Sequence, residues 1–236
     1  MTPLPKASVV IRTLNEAASL PRVLRALNEQ NVCPLEVIVV DSGSRDGTLQ
    51  IAREAGCRII EIAPQSFTYG YALNRGLAEA CGEVGISLAG HAIPLGHDWL
   101  AELLAPLTDP QVAGSASRQV SDRVWQRSYA MTLADWMYRQ TGWRTAAAVR
   151  MLFTNAASAI RLAVWRQTPF DESLASCEDQ LWTLLVNSAG YRLAYCPAAV
   201  VNHSHPYSAH QKLACVWRDF KAMRRVRKLA NRQIRD

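Results

Sequence analysis

The chain of 236 residues is 49% hydrophobic and 19% charged, a balance typical of a globular enzyme with a substantial buried core. The formal net charge is +6, and no apolar run reaches the length that spans a bilayer. Six scattered cysteines without a C-x-x-C pair argue against both a disulfide framework and a zinc site.

Short β-branched runs alternate with helix-like stretches in the first half of the chain. The predicted strands cover 8–12, 36–41, 58–62 and 84–88, and the predicted helices cover 17–29, 46–55 and 71–81. Asn15 is a candidate cap for the first of these helices. This alternation predicts an α/β fold with a mostly parallel sheet.

The second half is less regular. We predict a strand at 112–120, an aromatic-rich helix and loop at 124–149, a helix at 178–190 and a short strand at 198–201. A long basic helix is predicted at 208–235. Because there is no repeat, low-complexity segment or linker, one domain with a C-terminal extension is the simplest organisation.

Polar residues follow the first two strands, where open α/β sheets bind ligands. TLNE (13–16) follows the first strand, and DSGSRDGT (41–48) follows the second. The carboxylate of Asp41 can accept from a base or ribose, while the amides of the turn approach phosphate. Taken alone, the second stretch could equally be a turn followed by a helix cap.

Six motifs, in this order and spacing, carry a resemblance to a known family. They are SVVIRTLNE (8–16), VDSGSRDGT (40–48), YALNRG (71–76), PFDE (169–172), EDQLW (178–182) and AGYRL (189–193). The chain resembles the family-2 glycosyltransferases of the GT-A fold, especially bacterial members similar to rhamnosyltransferases. The resemblance covers residues 8 to about 210.

The resemblance implies a GT-A domain at 1–207, with a nucleotide-binding half (1–110) and an acceptor and catalytic half (111–207). Residues 208–236 would form a basic helical extension. The implied reaction is inverting transfer of a sugar, by a hexosyltransferase-like enzyme, from a nucleotide-diphosphate donor to the hydroxyl of a sugar or lipid-linked acceptor. Such an enzyme would serve surface polysaccharide or glycolipid synthesis.

The resemblance also implies roles for individual residues. The nucleotide pocket would be formed by Thr13, Glu16, Asp41, Ser42 and Asp46, with Asn74 and Gly76 near the phosphates and Gly90, His91 and Asn155 near the donor sugar and phosphates. Asp179 would be the general base, with the adjacent Glu178 as its partner. Without the resemblance, both acids could simply complement the dipole of the helix that they begin.

The chain departs from the family at the metal site. Members usually carry Asp-x-Asp after the fourth strand, whereas this chain has Ala89, Gly90 and His91. Imidazole holds Mn2+ well and Mg2+ poorly, and His203 and His205 are candidate late ligands beside His91. A divalent metal at these histidines and direct contact of the histidines with phosphate both remain open.

The basic C-terminal segment carries eight cations against one acid. They are Arg218, Lys221, Arg224, Arg225, Arg227, Lys228, Arg232 and Arg235, against Asp219. A solvated helix is one interpretation, and nucleic-acid binding is disfavoured because no reading element accompanies the charge. Phe220, Met223, Val226 and Leu229 recur among the cations, which favours a helix lying on an anionic membrane surface. Since Met1–Ser8 lacks the apolar core of a secretory signal, we expect a cytoplasmic protein, peripheral on the inner face of the plasma membrane.

Two other classes compete with this interpretation. A dehydrogenase-like Rossmann enzyme would carry G-x-G-x-x-G after the first strand, and the chain has none there. A non-catalytic nucleotide- or glycan-binding module would explain the loss of the metal-binding acid pair.

Overall fold

The chain folds around one sheet of eight strands in the order β3-β2-β1-β4-β7-β6-β8-β5. The computed structural model describes residues 3–121, 135–136, 138–140, 146–204 and 209–234. The strands are β1 (Ala7–Thr13), β2 (Glu36–Asp41), β3 (Arg58–Glu61), β4 (Val84–Ala89), β5 (Ile93–Leu95), β6 (Val112–Val120), β7 (Ala157–Arg161) and β8 (Arg192–Asn202). β1 to β4 are mutually parallel, β7 is antiparallel to β4 and β6, and β6 is parallel to β8.

Helices cover both faces of this sheet. They are α1 (Leu20–Asn28), α2 (Thr48–Glu54), α3 (Tyr69–Ala78), α4 (Trp99–Leu104), α5 (Ala146–Leu152), α6 (Leu162–Gln167), α7 (Glu178–Ser188) and α8 (Ala209–Gln233), with 3-10 turns at Pro64–Ser66 and Ala105–Thr108. Because side chains alternate along a strand, Val9 and Ile11 of β1 pack with α1, α2 and α4. Val10 packs on the opposite face with α3, α5, α6 and α7.

The predicted elements of the first half correspond to observed ones, with shifted ends. The first helix begins at Leu20 and not at residue 17, because Asn15 adopts a left-handed backbone with φ of 56° and caps no helix. Four apolar residues of α1 are buried: Leu20, Val23, Leu24 and Leu27. The structure adds β5 in the first half and β7 in the second, and it extends the last strand to Arg192–Asn202. The aromatic-rich segment predicted at 124–149 lies largely outside the described residues.

The C-terminal helix α8 is anchored by an apolar contact with α7. Val226 and Ala230 are buried against Leu174 and Leu181, and Met223 and Leu229 pack at the edge of the same cluster. The prediction that four apolar residues of this helix face a membrane is therefore wrong for Met223, Val226 and Leu229. Of the four, only Phe220 is exposed. Within the described residues, none of the helices combines the length and apolar character needed to cross a membrane.

Candidate active site

A cavity of about 870 Å³ opens where the parallel strands end. Thr13, Ser42 and Ala89 reach it from the ends of β1, β2 and β4, while Glu178 and Asp179 reach it from the start of α7. The cavity therefore joins the predicted nucleotide pocket to the predicted general base.

Asp41 lies beneath this cavity and organises its floor. The carboxylate is fully buried and accepts four hydrogen bonds: from the hydroxyls of Thr13 (2.8 Å) and Ser44 (2.5 Å), and from the amides of Gly43 (2.9 Å) and Ser44 (2.8 Å). Four hydrogen bonds fix the orientation of this carboxylate. Asp41 thus shapes the loop that places Ser42 in the cavity wall.

Asp46 ties the two polar loops together. Its carboxylate accepts from the hydroxyl and amide of Thr48 and from the amide of Ala17 at 3.1 Å. The hydrogen bond from the Thr48 hydroxyl, with those from the two amides, lowers the pKa of Asp46. Thr48 in turn accepts from the amide of Glu16 at 2.8 Å. Thr13, Glu16 and Ser42 line the cavity, whereas Asp41 and Asp46 brace it from outside.

Two residues expected near the phosphates lie elsewhere. The buried amide of Asn74 donates to the carbonyl of Phe170 and to Glu172, and accepts from Trp165 and the amide of Phe170. Gly76 lies against β1 and β2, where an added Cβ would stand 2.3 Å from a methyl of Val10. Both residues therefore hold α3 in place, and neither lines the cavity.

Two histidine rings face each other at the ends of β4 and β8. Nε2 of His91 lies 3.1 Å from Nε2 of His203, and the rings stack with centroids 5.0 Å apart. Nδ1 of His91 donates to Glu16 Oε1 at 2.6 Å, and Nδ1 of His203 donates to Gln119 Oε1 at 2.9 Å. Gly90 permits this approach, because an added Cβ would meet Glu16 Cγ at 2.8 Å.

This pair fits part of a metal site. The two Nε2 atoms lie within hydrogen-bond distance of each other, and a proton or a metal ion shared between them would offset the repulsion of their lone pairs. A carboxylate or amide oxygen behind each ring is the usual support of metal-bound imidazole. Within the described part of the chain, no set of three or more His, Cys, Asp or Glu residues is arranged to hold a metal. His205 lies outside the described residues.

The predicted base lies on the opposite wall with its acidic neighbour. Asn155 donates a hydrogen bond to each of the two acids. Its backbone N–H donates to Asp179 Oδ2 at 3.3 Å, and its side-chain amide donates to Glu178 Oε1 at 3.2 Å. Burial, followed by the charge of Glu178, raises the pKa of Asp179 to about 7. A carboxylate with such a pKa is matched to proton transfer near neutral pH.

Asn155 was expected to contact the donor sugar, but its polar atoms are engaged within the protein. Besides Glu178, its side chain accepts from Ser158 at 3.3 Å, and its carbonyl accepts from Ser87 and Arg12. The geometry thus favours a role for Asn155 in orienting the acid pair.

Backbone strain borders the cavity on both sides. Asn15 and Cys177 are the non-glycine residues with positive φ in the described ranges, and both line the cavity. Cys177, at φ of 64°, immediately precedes Glu178 and Asp179 and sets the direction in which α7 begins. Such conformations cost roughly 1–3 kcal/mol and concentrate at functional sites.

The polar residues of the cavity that the sequence interpretation missed include Arg12, Gln119 and Arg218. Arg12 carried a signal, because it interrupts the apolar run of β1 one residue before the polar motif that follows it. Gln119 and Arg218 had no comparable local signal, since their positions depend on the packing of β6 and α8.

Comparisons with known proteins agree with this geometry. The O-antigen chain rhamnosyltransferase RfbN of Salmonella typhimurium is 28% identical over 216 residues, which cover 88% of this chain and 69% of that protein. The mannosyltransferase of Pyrobaculum calidifontis, solved with GDP-Man and Mn2+, has a TM-score of 0.76 at 22% identity, covering 98% of this chain. This chain spans 65% of that mannosyltransferase.

A second solved structure supports the same fold. Glucosyl-3-phosphoglycerate synthase of Mycobacterium tuberculosis, solved with Mn2+, UDP-glucose and phosphoglyceric acid, has a TM-score of 0.65 at 19% identity, covering 89% of this chain and 74% of its own. These likenesses confirm the predicted GT-A fold. The family model described as Glycosyl transferase family 2 matches residues 8–166. The chain therefore belongs to glycosyl transferase family 2.

Proposed function

We propose that this chain is an inverting glycosyltransferase that moves a hexose from a nucleotide-diphosphate donor to an acceptor hydroxyl, in the synthesis of a bacterial surface polysaccharide or glycolipid. The observation that carries the proposal is Asp179, a partly buried carboxylate with a raised pKa that shares one cavity with Thr13, Glu16 and Ser42. The similarity to an O-antigen rhamnosyltransferase supports the class of product.

The proposed reaction is a direct displacement at the anomeric carbon. Asp179 takes the proton of the acceptor hydroxyl as the acceptor oxygen bonds to that carbon. The bond from the carbon to the phosphate oxygen breaks, and the nucleoside diphosphate leaves with the electron pair. Because attack and departure occur on opposite sides, the configuration inverts. In this arrangement Glu178 and Asn155 position Asp179 and do not contact the reacting atoms.

We place the donor against residues of the 1–110 half. Thr13, Glu16 and Ser42 would contact the nucleotide, while Asp41 and Asp46 hold their loops in shape. His91 and His203 would hold a divalent ion, and two imidazole ligands favour Mn2+ over Mg2+. Such an ion would neutralise charge on the diphosphate.

The decisive experiment combines a donor panel with variants of the acid pair. UDP-, GDP- and dTDP-sugars are titrated by calorimetry with and without Mn2+, and turnover is then measured with the donor that binds. For Asp179→Asn we expect kcat to fall by about 100-fold or more, with donor affinity unchanged. Glu178→Gln, the matched control, should lose less.

Three outcomes would contradict parts of the proposal. Binding that is indifferent to Mn2+ and EDTA would remove the histidine metal site, and full turnover by Asp179→Asn would remove the assigned base. A wild type that transfers no sugar from any donor would favour the alternative of a non-catalytic binding module. That alternative is not favoured by the family or by the curated rhamnosyltransferase.

We further propose that the acceptor is lipid-linked and that α8 rests on an anionic membrane surface. Val216, Trp217 and Phe220 are 64%, 58% and 56% exposed on this helix. Exposed cations follow on the same side, at Lys221, Arg224, Arg227 and Lys228. Aromatic side chains beside cations suit the interface of an anionic bilayer.

A further inference from the structure

Two arginines approach one aromatic ring in the wall of the cavity. Cζ of Arg12, at the end of β1, lies 5.1 Å from the ring centroid of Tyr69, and Cζ of Arg218, on α8, lies 6.0 Å from it. All three residues line the cavity that contains Asp179. Elements distant in the sequence therefore bring two cations to one place.

Arg12 has buried donors that the protein leaves unused. Its Nη2 donates to the carbonyl of Asn155 at 2.8 Å. Nε and Nη1 are buried and have no hydrogen-bond partner among the residues that the structure describes. Unpaired buried donors are unfavourable, and the planar guanidinium presents its N–H groups in a fork that matches the oxygens of phosphate.

The charges of the two arginines are also only weakly paired. No carboxylate of the described ranges lies within ion-pair distance of Arg12, and Arg218 pairs only with its exposed neighbour Asp219, at 3.1 Å. Two guanidinium groups near one ring repel each other, although the face of the ring attracts each of them. An anion bound in the cavity beside both guanidinium groups would offset their repulsion and accept hydrogen bonds from the unpaired donors of Arg12.

We propose that Arg12 and Arg218, together with the Tyr69 ring, form a subsite for a phosphate or diphosphate group. It is built from different residues than the histidine pair, and its charge is permanent, so it requires no metal. The proposal rests on the proposed function for the source of the anion. That source is either the diphosphate of the donor or a phosphate carried by the acceptor.

The direct test titrates inorganic pyrophosphate by calorimetry at low salt without divalent ions. We expect binding by the wild type and a loss of about tenfold or more in affinity for Arg12→Met and for Arg218→Met. Arg12→Lys should be intermediate, because it keeps the charge but loses the fork. Arg22→Met, which removes an exposed arginine of α1, is the matched control and should bind as the wild type does.

The second variant distinguishes a loss of binding from a loss of folding. If thermal melting shows that Arg12→Met is unfolded, Arg218→Met decides, since its side chain is 40% exposed and its loss leaves the core intact. Pyrophosphate binding that is equal in wild type and Arg218→Met, or absent in wild type, overturns the subsite.

A second titration distinguishes the two sources. The affinity gained on going from nucleoside to nucleoside diphosphate is compared between wild type and Arg12→Met. Loss of that gain assigns the subsite to the donor, while an unchanged gain with weaker pyrophosphate binding assigns it to the acceptor. If pyrophosphate binding depends on Arg12 but no nucleotide sugar binds, the proposed function fails and the subsite stands. If the arginine variants keep both turnover and pyrophosphate binding, the subsite is overturned and the proposed function stands.

Discussion

Asp179 is charged when it acts as a base, yet it lies in a partly buried position beside the buried carboxylate of Glu178. Burial and the charge of Glu178 both favour its protonated form, while hydrogen bonds from the amides of Asn155 and Gln180 and the field of Arg12 favour the ionised form. The opposing effects leave its pKa near neutrality. The strain at Cys177 and the hydrogen bonds of Asn155 are local structural features that hold this unfavourable residue in place.

The first prediction concerns the pH dependence of turnover. Because the base must be ionised, kcat should be level above about pH 7 and fall about tenfold per pH unit below it. Glu178→Gln removes one cause of the raised pKa, so its acid limb should lie at lower pH. Measuring kcat from pH 5 to about pH 9 checks this. Identical acid limbs in both proteins would contradict the assigned coupling.

The second prediction concerns stability, and its sign is opposite to that of a salt-bridged acid. The folded-state pKa of Asp179 lies above the value of about 3.9 for an unfolded aspartate, so the folded state binds the proton more tightly. Stability is therefore lost as pH rises from about 4 to about 7. Asp179→Asn cannot ionise and should be more stable than wild type at pH 8, by up to about 4 kcal/mol, with little difference near pH 4.

Thermal melting of both proteins across this pH range tests the sign. Each kcal/mol corresponds to roughly 2–4 °C in Tm for a chain of this size. Comparing two proteins at the same pH cancels the contributions of other titrating groups. A wild type that is more stable than Asp179→Asn at pH 8 would show that the carboxylate is not penalised by burial.

At the scale of elements, the central strands were predictable from the sequence, whereas the start of α1 and the strand β7 were not. β1 and β2 carry apolar runs at 9–11 and 37–40, and β4 is buried at every position, as expected for parallel strands that are covered on both faces. The start of α1 was misplaced because a left-handed Asn15 and the turn after it follow from loop-to-loop hydrogen bonds. β7 was missed because its sequence, ASAIR, is rich in small residues and carries little strand propensity.

The site was predictable where a residue's role follows from its place at a strand end. Glu16 and His91 reach the cavity because β1 and β4 are adjacent and end at the same edge. Asn74 was misassigned because a polar residue in a conspicuous motif can equally serve buried backbone groups, here the carbonyl and the amide of Phe170. The contacts of Arg218 depend on the docking of α8, which no local pattern encodes.

The third prediction tests that docking with two valines of the same helix. Val226 is fully buried against α7, whereas Val216 is 64% exposed. Val226→Asp places a charge in an apolar contact and should lower the free energy of unfolding by about 3 kcal/mol or more. Val216→Asp should change it by less than about 0.5 kcal/mol. Chemical denaturation of both variants provides the measurement, and equal midpoints would show that the α7–α8 contact does not stabilise the fold.

At the scale of the molecule, α8 presents two sides. One side contributes Cys215, Arg218 and Asp219 to the cavity and, further along the helix, packs on α7. The opposite side exposes apolar and basic side chains. Because the cavity residues and the exposed apolar residues share the same turns of the helix, a surface that binds the exposed side would lie beside the mouth of the cavity. An acceptor held in that surface would reach Asp179 without leaving it.

The last prediction is that vesicle binding depends on the exposed aromatic residues of α8. Wild type should sediment with vesicles that contain phosphatidylglycerol, and not with phosphatidylcholine alone, and salt should weaken the binding. The double variant Trp217→Ser, Phe220→Ser should bind about tenfold more weakly, because the apolar area that it would bury is lost. Leu35→Ser is the matched control, since Leu35 is 53% exposed just before β2, at the opposite end of the parallel strands from the cavity. Equal loss of binding in the control, or full binding by the double variant, would show that α8 is not the surface that meets the membrane.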